Sequence, residues 1–105
     1  MPSRPTSVTL GPHTFALEFV EEMSQKGLLG KAHRVEGTVE ISTQQAPSVM
    51  RSTVLHELIH QALWAHGSRL KKKDEEAVCL ALEGPLLELF ARPENAALRK
   101  WLVSP

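Results

Sequence analysis

Hydrophobic residues alternate with polar or small ones at every second position on either side of Gly11-Pro12 (Val8 and Leu10 before it, Phe15, Leu17 and Phe19 after it), the period-two pattern of half-buried strands. Gly11-Pro12 breaks the alternation as a turn does, so residues 8 to 20 predict a β-hairpin. The stretch 14 to 23 competes as a helix, since Leu17, Glu18, Glu21 and Glu22 also suit that period. Gly27, Gly30 and Gly37 then mark a loop-rich crossing. Thr38 to Ser42 predicts a short strand with Val39 and Ile41 on one face.

After the Gln44–Pro47 linker the period changes to that of a helix, with Ser48 suited to cap it. Counted from His56 at about 100° per residue, Arg51, Leu55, Leu58, Ile59, Ala62 and Leu63 share one broad sector. This predicts an amphipathic helix ending near His66-Gly67, where glycine can take a left-handed cap. Ser68 to Lys73 reads as a basic, solvated connection. A second helix opens at Asp74-Glu75-Glu76, where acids suit the positive end of the helix dipole. Val78, Leu82, Leu86, Leu89 and Phe90 should form its buried side, with a kink or restart at Pro85. A last helix after Pro93 should bury Ala97, Leu98, Trp101 and Leu102.

Composition narrows the classes of function. The chain has 105 residues, 12 Lys plus Arg against 12 Asp plus Glu, and one cysteine, Cys79. Residues 1–7, MPSRPTS, have nothing to bury and predict a flexible arm, and the length predicts a single domain at 8–105 with a small core. No apolar run approaches the roughly 18 residues of a membrane span. With no secretion signal and no disulfide to form, a soluble intracellular protein is expected. Zero formal charge argues against nucleic acid as a partner, because phosphate binding needs excess Lys and Arg.

The candidate chemistry sits in the first helix. His56-Glu57-Leu58-Ile59-His60 is an H-E-x-x-H pentapeptide. Residues i and i+4 lie about 40° apart and one turn apart along a helix, so both imidazoles can reach one ion. Glu57 projects from the same side, close enough to hold a water there. The ligand sector adjoins the apolar stripe, at the edge of the core and within reach of a substrate. Catalytic zinc takes three protein ligands. For the third, Glu76 lies sixteen residues beyond His60 on a helix that should return antiparallel; Glu75 and His66 are the other candidates. His66 has the metzincin offset, but Leu63 stands where those proteins bend at glycine, and no downstream methionine supplies their Met-turn.

The run Thr53 to His60, followed by Glu75-Glu76-Ala77-Val78-Cys79-Leu80-Ala81 and closing with Arg92-Pro93-Glu94-Asn95 and Trp101-Leu102, resembles a family of small phage-encoded zincin-like proteins. Those are themselves similar to pared-down thermolysin-type metallopeptidases, the gluzincins. The likeness covers residues 35 to 103. It implies an α+β, minimal zincin-like fold: a small N-terminal antiparallel β-sheet, the H-E-x-x-H helix, a glutamate helix and a short C-terminal helix. It also implies one Zn2+ on His56, His60 and Glu76, with Glu57 as general base for peptide-bond hydrolysis in the bacterial host cytoplasm. The sequence departs from larger gluzincins in two places. Leu80 stands where an aspartate braces a zinc histidine, and the chain has no tyrosine to steady an oxyanion.

If the site is catalytic, His66, His33 and Arg34 are the candidate oxyanion donors, and strand 38–42 should offer a free edge at the lip of the cleft. The expected partner is a peptide or protein substrate, and a chain this short can borrow substrate-binding surface from a protein partner. Cys79 reads as a buried free thiol, with a thiolate ligand as the competing role. Trp64 and Trp101 read as core anchors, and His13 and His33 as exposed turn residues. The alternative function is a non-catalytic binding module stapled by the same ion, since small cores often need a metal to fold.

Overall fold

The structure is a computed structural model that describes residues 3–105; Met1 and Pro2, the start of the expected arm, lie outside the described residues. The chain is α+β. Four strands, β1 (Ser7–Leu10), β2 (His13–Val20), β3 (Gly30–His33) and β4 (Thr38–Ser42), precede three helices, α1 (Pro47–Ala65), α2 (Lys72–Ala91) and α3 (Ala96–Leu102). A single 3-10 turn, Pro93–Asn95, leads into α3.

The alternation from Val8 to Phe19 does form a hairpin. Leu10 pairs with His13 across a two-residue turn, and Gly11 supplies the positive φ of 58° that such turns favour. The helix alternative for 14–23 is not adopted, because only the strand puts Phe15 and Leu17 together in the core. The arm is tethered rather than free: Ser7 belongs to β1, the Leu17 amide donates to Thr6 O at 2.9 Å, and Arg4 lies over the Phe19 ring.

The sheet order is β1-β2-β4-β3. β2 and β4 run parallel, so the sheet is mixed and not the antiparallel sheet expected. β4 is an interior strand, buried along nearly its whole length; β1 and β3 are the edges, and β3 is the one that lines the cleft. This corrects the placement of 38–42 at the lip. The sequence did not mark β3, because Gly-Lys-Ala-His is too short and too weakly apolar to show an alternation.

Leu17 faces Val39 and Phe19 faces Ile41 across the parallel pair; Phe15, Leu17, Val39 and Ile41 form the buried core. Met50, Val54 and Leu58 of α1 pack against it. Only Leu58 belongs to the stripe expected from the sequence. The physical reason is that α1 lies between the sheet and α2, so its half-buried surface runs unbroken from Ser52 to His60. Gln61, fully buried, donates from Nε2 to Thr38 O at 3.2 Å and ties the helix to the start of β4.

The outer face of the sheet holds a polar knot. Glu40 Oε1 accepts from the Ser24 hydroxyl at 2.6 Å and Oε2 from the Ser24 amide at 3.0 Å, and His33 Nε2 lies 3.2 Å from the same Oε1. The Ser24 hydroxyl is the main reason the Glu40 carboxyl lies below its usual 4.5, with burial opposing and the Ser24 amide and His33 assisting. A depressed folded-state value contributes stability above pH 4.5 that is lost as pH falls through the folded value. Glu40→Gln is therefore expected to remove part of the acid-induced fall in Tm below that pH, measured by thermal melts across an acid series.

The helical termini differ from the sequence reading in detail. Pro47 opens α1 behind Ala46, so Ser48 is not the cap. Gly67 has the expected positive φ, 77°. α2 begins at Lys72, which draws Lys72 and Lys73 out of the connection and leaves Asp74 and Glu75 in the first turn. The helix passes through Pro85 without restarting; Gly84, lacking a Cβ, relieves part of the clash that proline imposes on the residue before it. Leu82 and Phe90 are exposed, and so are Leu98, Leu102 and Trp101, the last at 72%. The sheet is on the far side of α1, so α2 rests on α1, and α3 rests on α2 rather than on the sheet. Trp101 is thus no core anchor, whereas Trp64 is half-covered by His13 and Phe15, with ring centroids 4.9 and 6.2 Å away.

Candidate metal centre

The two histidines stand one turn apart on α1, and α2 runs back along it. Their rings meet edge-on with centroids 5.0 Å apart. His56 Nε2 is 2.7 Å from Glu76 Oε1, and His60 Nε2 is 3.0 Å from Glu76 Oε2. One carboxylate on the second helix thus addresses the same nitrogen of both imidazoles. All three residues named from the sequence converge on one point, which faces an open cleft of about 900 Å³.

The opposite edge of each ring is also engaged. His56 Nδ1 is 2.7 Å from Glu83 Oε2, and His60 Nδ1 is 2.8 Å from Glu75 Oε1. Arg34 pairs with that same Glu75 oxygen. Glu75 therefore lies behind His60 rather than beside the convergence point, which separates it from Glu76 as a third-ligand candidate. His66 caps the end of α1 beside the Gly11 turn, outside the cleft, and no bend returns it to His56. His33 is half-buried on Glu40, not exposed in a turn, and Arg34 is committed to Glu75.

Carboxylates on both edges of two imidazoles need compensating positive charge. At the Nε2 edge two ring protons supply +2, and one divalent cation supplies the same. The donor set of two imidazole nitrogens and a carboxylate suits Zn2+. Cys79 adds a second possibility of arrangement: its sulfur lies within 4.8 Å of a ligand nitrogen on each histidine. The thiol is fully buried, and burial, aided by Glu76, Glu75, Glu57 and Glu83, pushes its pKa up to about 12. Next to its neighbours it is a poorer anionic donor than Glu76.

Glu57 is placed by β3. An added Cβ on Gly30 would stand 2.6 Å from Thr53 Cγ2 and 3.0 Å from Glu57 Cγ, so the edge strand lies against α1 with no room for a side chain. Burial raises the Glu57 carboxyl above its ordinary value; His56 and His60 oppose this, Glu76 adds to it, and the Ala32 amide opposes it. Gly30→Ala is expected to cost about 1–3 kcal/mol by overpacking and to displace Glu57, read as a lower Tm in thermal unfolding.

Two parts of this site were not read from the sequence. Glu83 had no motif, although its spacing of two turns from Glu76 puts it on the same helix face. Arg34 carried a different assignment, and only the fold brings it to Glu75. Comparisons with protein-family models, with curated proteins and with solved structures give no match to this chain.

Proposed function

We propose that this chain is a zinc-dependent metallopeptidase that binds one Zn2+ through His56, His60 and Glu76 and hydrolyses peptide bonds with Glu57 as general base. The observation that carries the reading is the convergence of His56 Nε2, His60 Nε2 and the Glu76 carboxylate within 2.7–3.0 Å, beside a raised-pKa glutamate and facing a cleft. A phage or prophage origin and the bacterial host cytoplasm as the place of action rest on the resemblance of residues 35 to 103 alone. Among the described residues, no helix is long and apolar enough to cross a membrane.

Bound zinc would supply Lewis acidity, lowering the pKa of its water towards neutrality and polarising a carbonyl. Glu57 takes the proton of the attacking water and delivers it to the departing amine. Its burial favours this, because a carboxyl held above its ordinary pKa is a stronger base. The free edge of β3 can pair with an extended peptide, fixing it by main-chain hydrogen bonds across the cleft. His33 and Arg34 are engaged with Glu40 and Glu75, so neither is assigned to the oxyanion.

A second reading has one observation in its favour. If Cys79 joined His56, His60 and Glu76, protein would fill all four positions of the ion, and the chain would be a zinc-stapled binding module without turnover. Cys79→Ser separates the two. Under the peptidase reading this variant keeps zinc affinity and cleavage of a denatured protein substrate, and a zinc chelator stops cleavage in both proteins. A large loss of zinc affinity in Cys79→Ser, with no cleavage by the parent chain, favours the module.

A further inference from the structure

We propose that Glu83 and Glu75 are positioning residues that fix the tautomer and ring orientation of His56 and His60, and that Arg34 acts on the site through Glu75. The inference rests on the zinc reading above. A neutral imidazole has one N–H and one lone pair, and whichever nitrogen donates a hydrogen bond leaves the other free to ligate. Here each Nδ1–H has a carboxylate to donate to, at 2.7 Å for His56–Glu83 and 2.8 Å for His60–Glu75. Both lone pairs are then presented at Nε2, towards Glu76.

The antiparallel helices explain why two different acids do this. Ascending α1 from 56 to 60 means descending α2, so His56 meets Glu83 and His60 meets Glu75. Glu75 is buried at 7% exposure, and a buried carboxylate needs a counter-charge to stay ionised. Arg34 provides it on the same oxygen that faces His60 Nδ1. The loop that follows β3 is thereby tied through α2 to a histidine of the candidate centre.

The test measures zinc affinity by competition with a chromophoric chelator, and histidine tautomers by long-range 1H–15N spectra of the zinc-loaded protein. Glu83→Gln and Glu75→Gln are expected to weaken zinc about 10–100-fold each, the usual effect of losing a partner behind a metal ligand. Arg34→Gln should weaken it too, but should add nothing in the Glu75→Gln background, since the effect runs through that carboxylate. Both rings should be protonated at Nδ1 in the parent protein. If Glu75→Gln fails to fold, Glu83→Gln at its half-exposed position carries the measurement alone. Unchanged affinity in the glutamine variants of a chain that binds zinc, or rings protonated at Nε2, overturns the positioning roles and leaves the zinc site standing. A parent chain that binds no zinc overturns the zinc reading and this inference together.

Discussion

Glu57→Gln is expected to abolish peptide hydrolysis while leaving zinc binding and the fold intact. Glutamine preserves the shape that fits against Gly30 and Thr53, so α1 and β3 keep their close approach. What it removes is the ability to accept a proton. General-base catalysis is typically worth about 10²–10⁴-fold, and cleavage should fall by at least that order. Burial also holds the Glu57 carboxyl above its ordinary value, which suits it to accept a proton. Assays with a quenched peptide library read the loss, and zinc titration of the same variant reads the retained affinity. Undiminished cleavage by Glu57→Gln discards the mechanism.

Glu76→Ala should weaken zinc binding by more than the roughly 10–100-fold expected for residues behind the ligands. It deletes the carboxylate that, among the described residues, addresses both Nε2 atoms, at 2.7 and 3.0 Å. His66→Ala should leave affinity unchanged, because His66 stands at the far end of α1 outside the cleft. The reverse order in a competition titration assigns the third ligand to His66 and requires α1 to bend where the structure shows a continuous helix.

The pairing of His56 with His60 was legible from helical periodicity, which left Glu76, Glu75 and His66 as candidates for the third position. His56 and His60 share a face at i and i+4, and an acidic second helix after a short connection must return along the first. The hairpin was equally legible, since Phe15, Leu17 and Phe19 alternate and Gly11-Pro12 turns the chain. What failed was whatever depends on how many neighbours an element has. Strand 38–42 reads the same at an edge or in the interior; its position is decided by β3, whose Gly30-Lys31-Ala32-His33 carries almost no apolar signal. Leu98, Trp101 and Leu102 have the spacing of a buried face, yet no element lies opposite them to cover it. Glu75, Glu83 and Arg34 acquire their places only when α2 is laid beside α1 and the loop after β3 closes on its first turn. Long-range pairing of that kind has no local pattern, so Glu83 gave no signal, while Glu75 and Arg34 were candidates for other roles.

The central claim is that two imidazoles and one carboxylate from neighbouring helices grip a single divalent ion. Elemental analysis of the chain purified without added metal, followed by zinc titration, tests it most directly. The account predicts one zinc per chain in the parent protein and a large deficit in Glu76→Ala. A folded parent chain that carries no metal and takes up none at saturating zinc contradicts it.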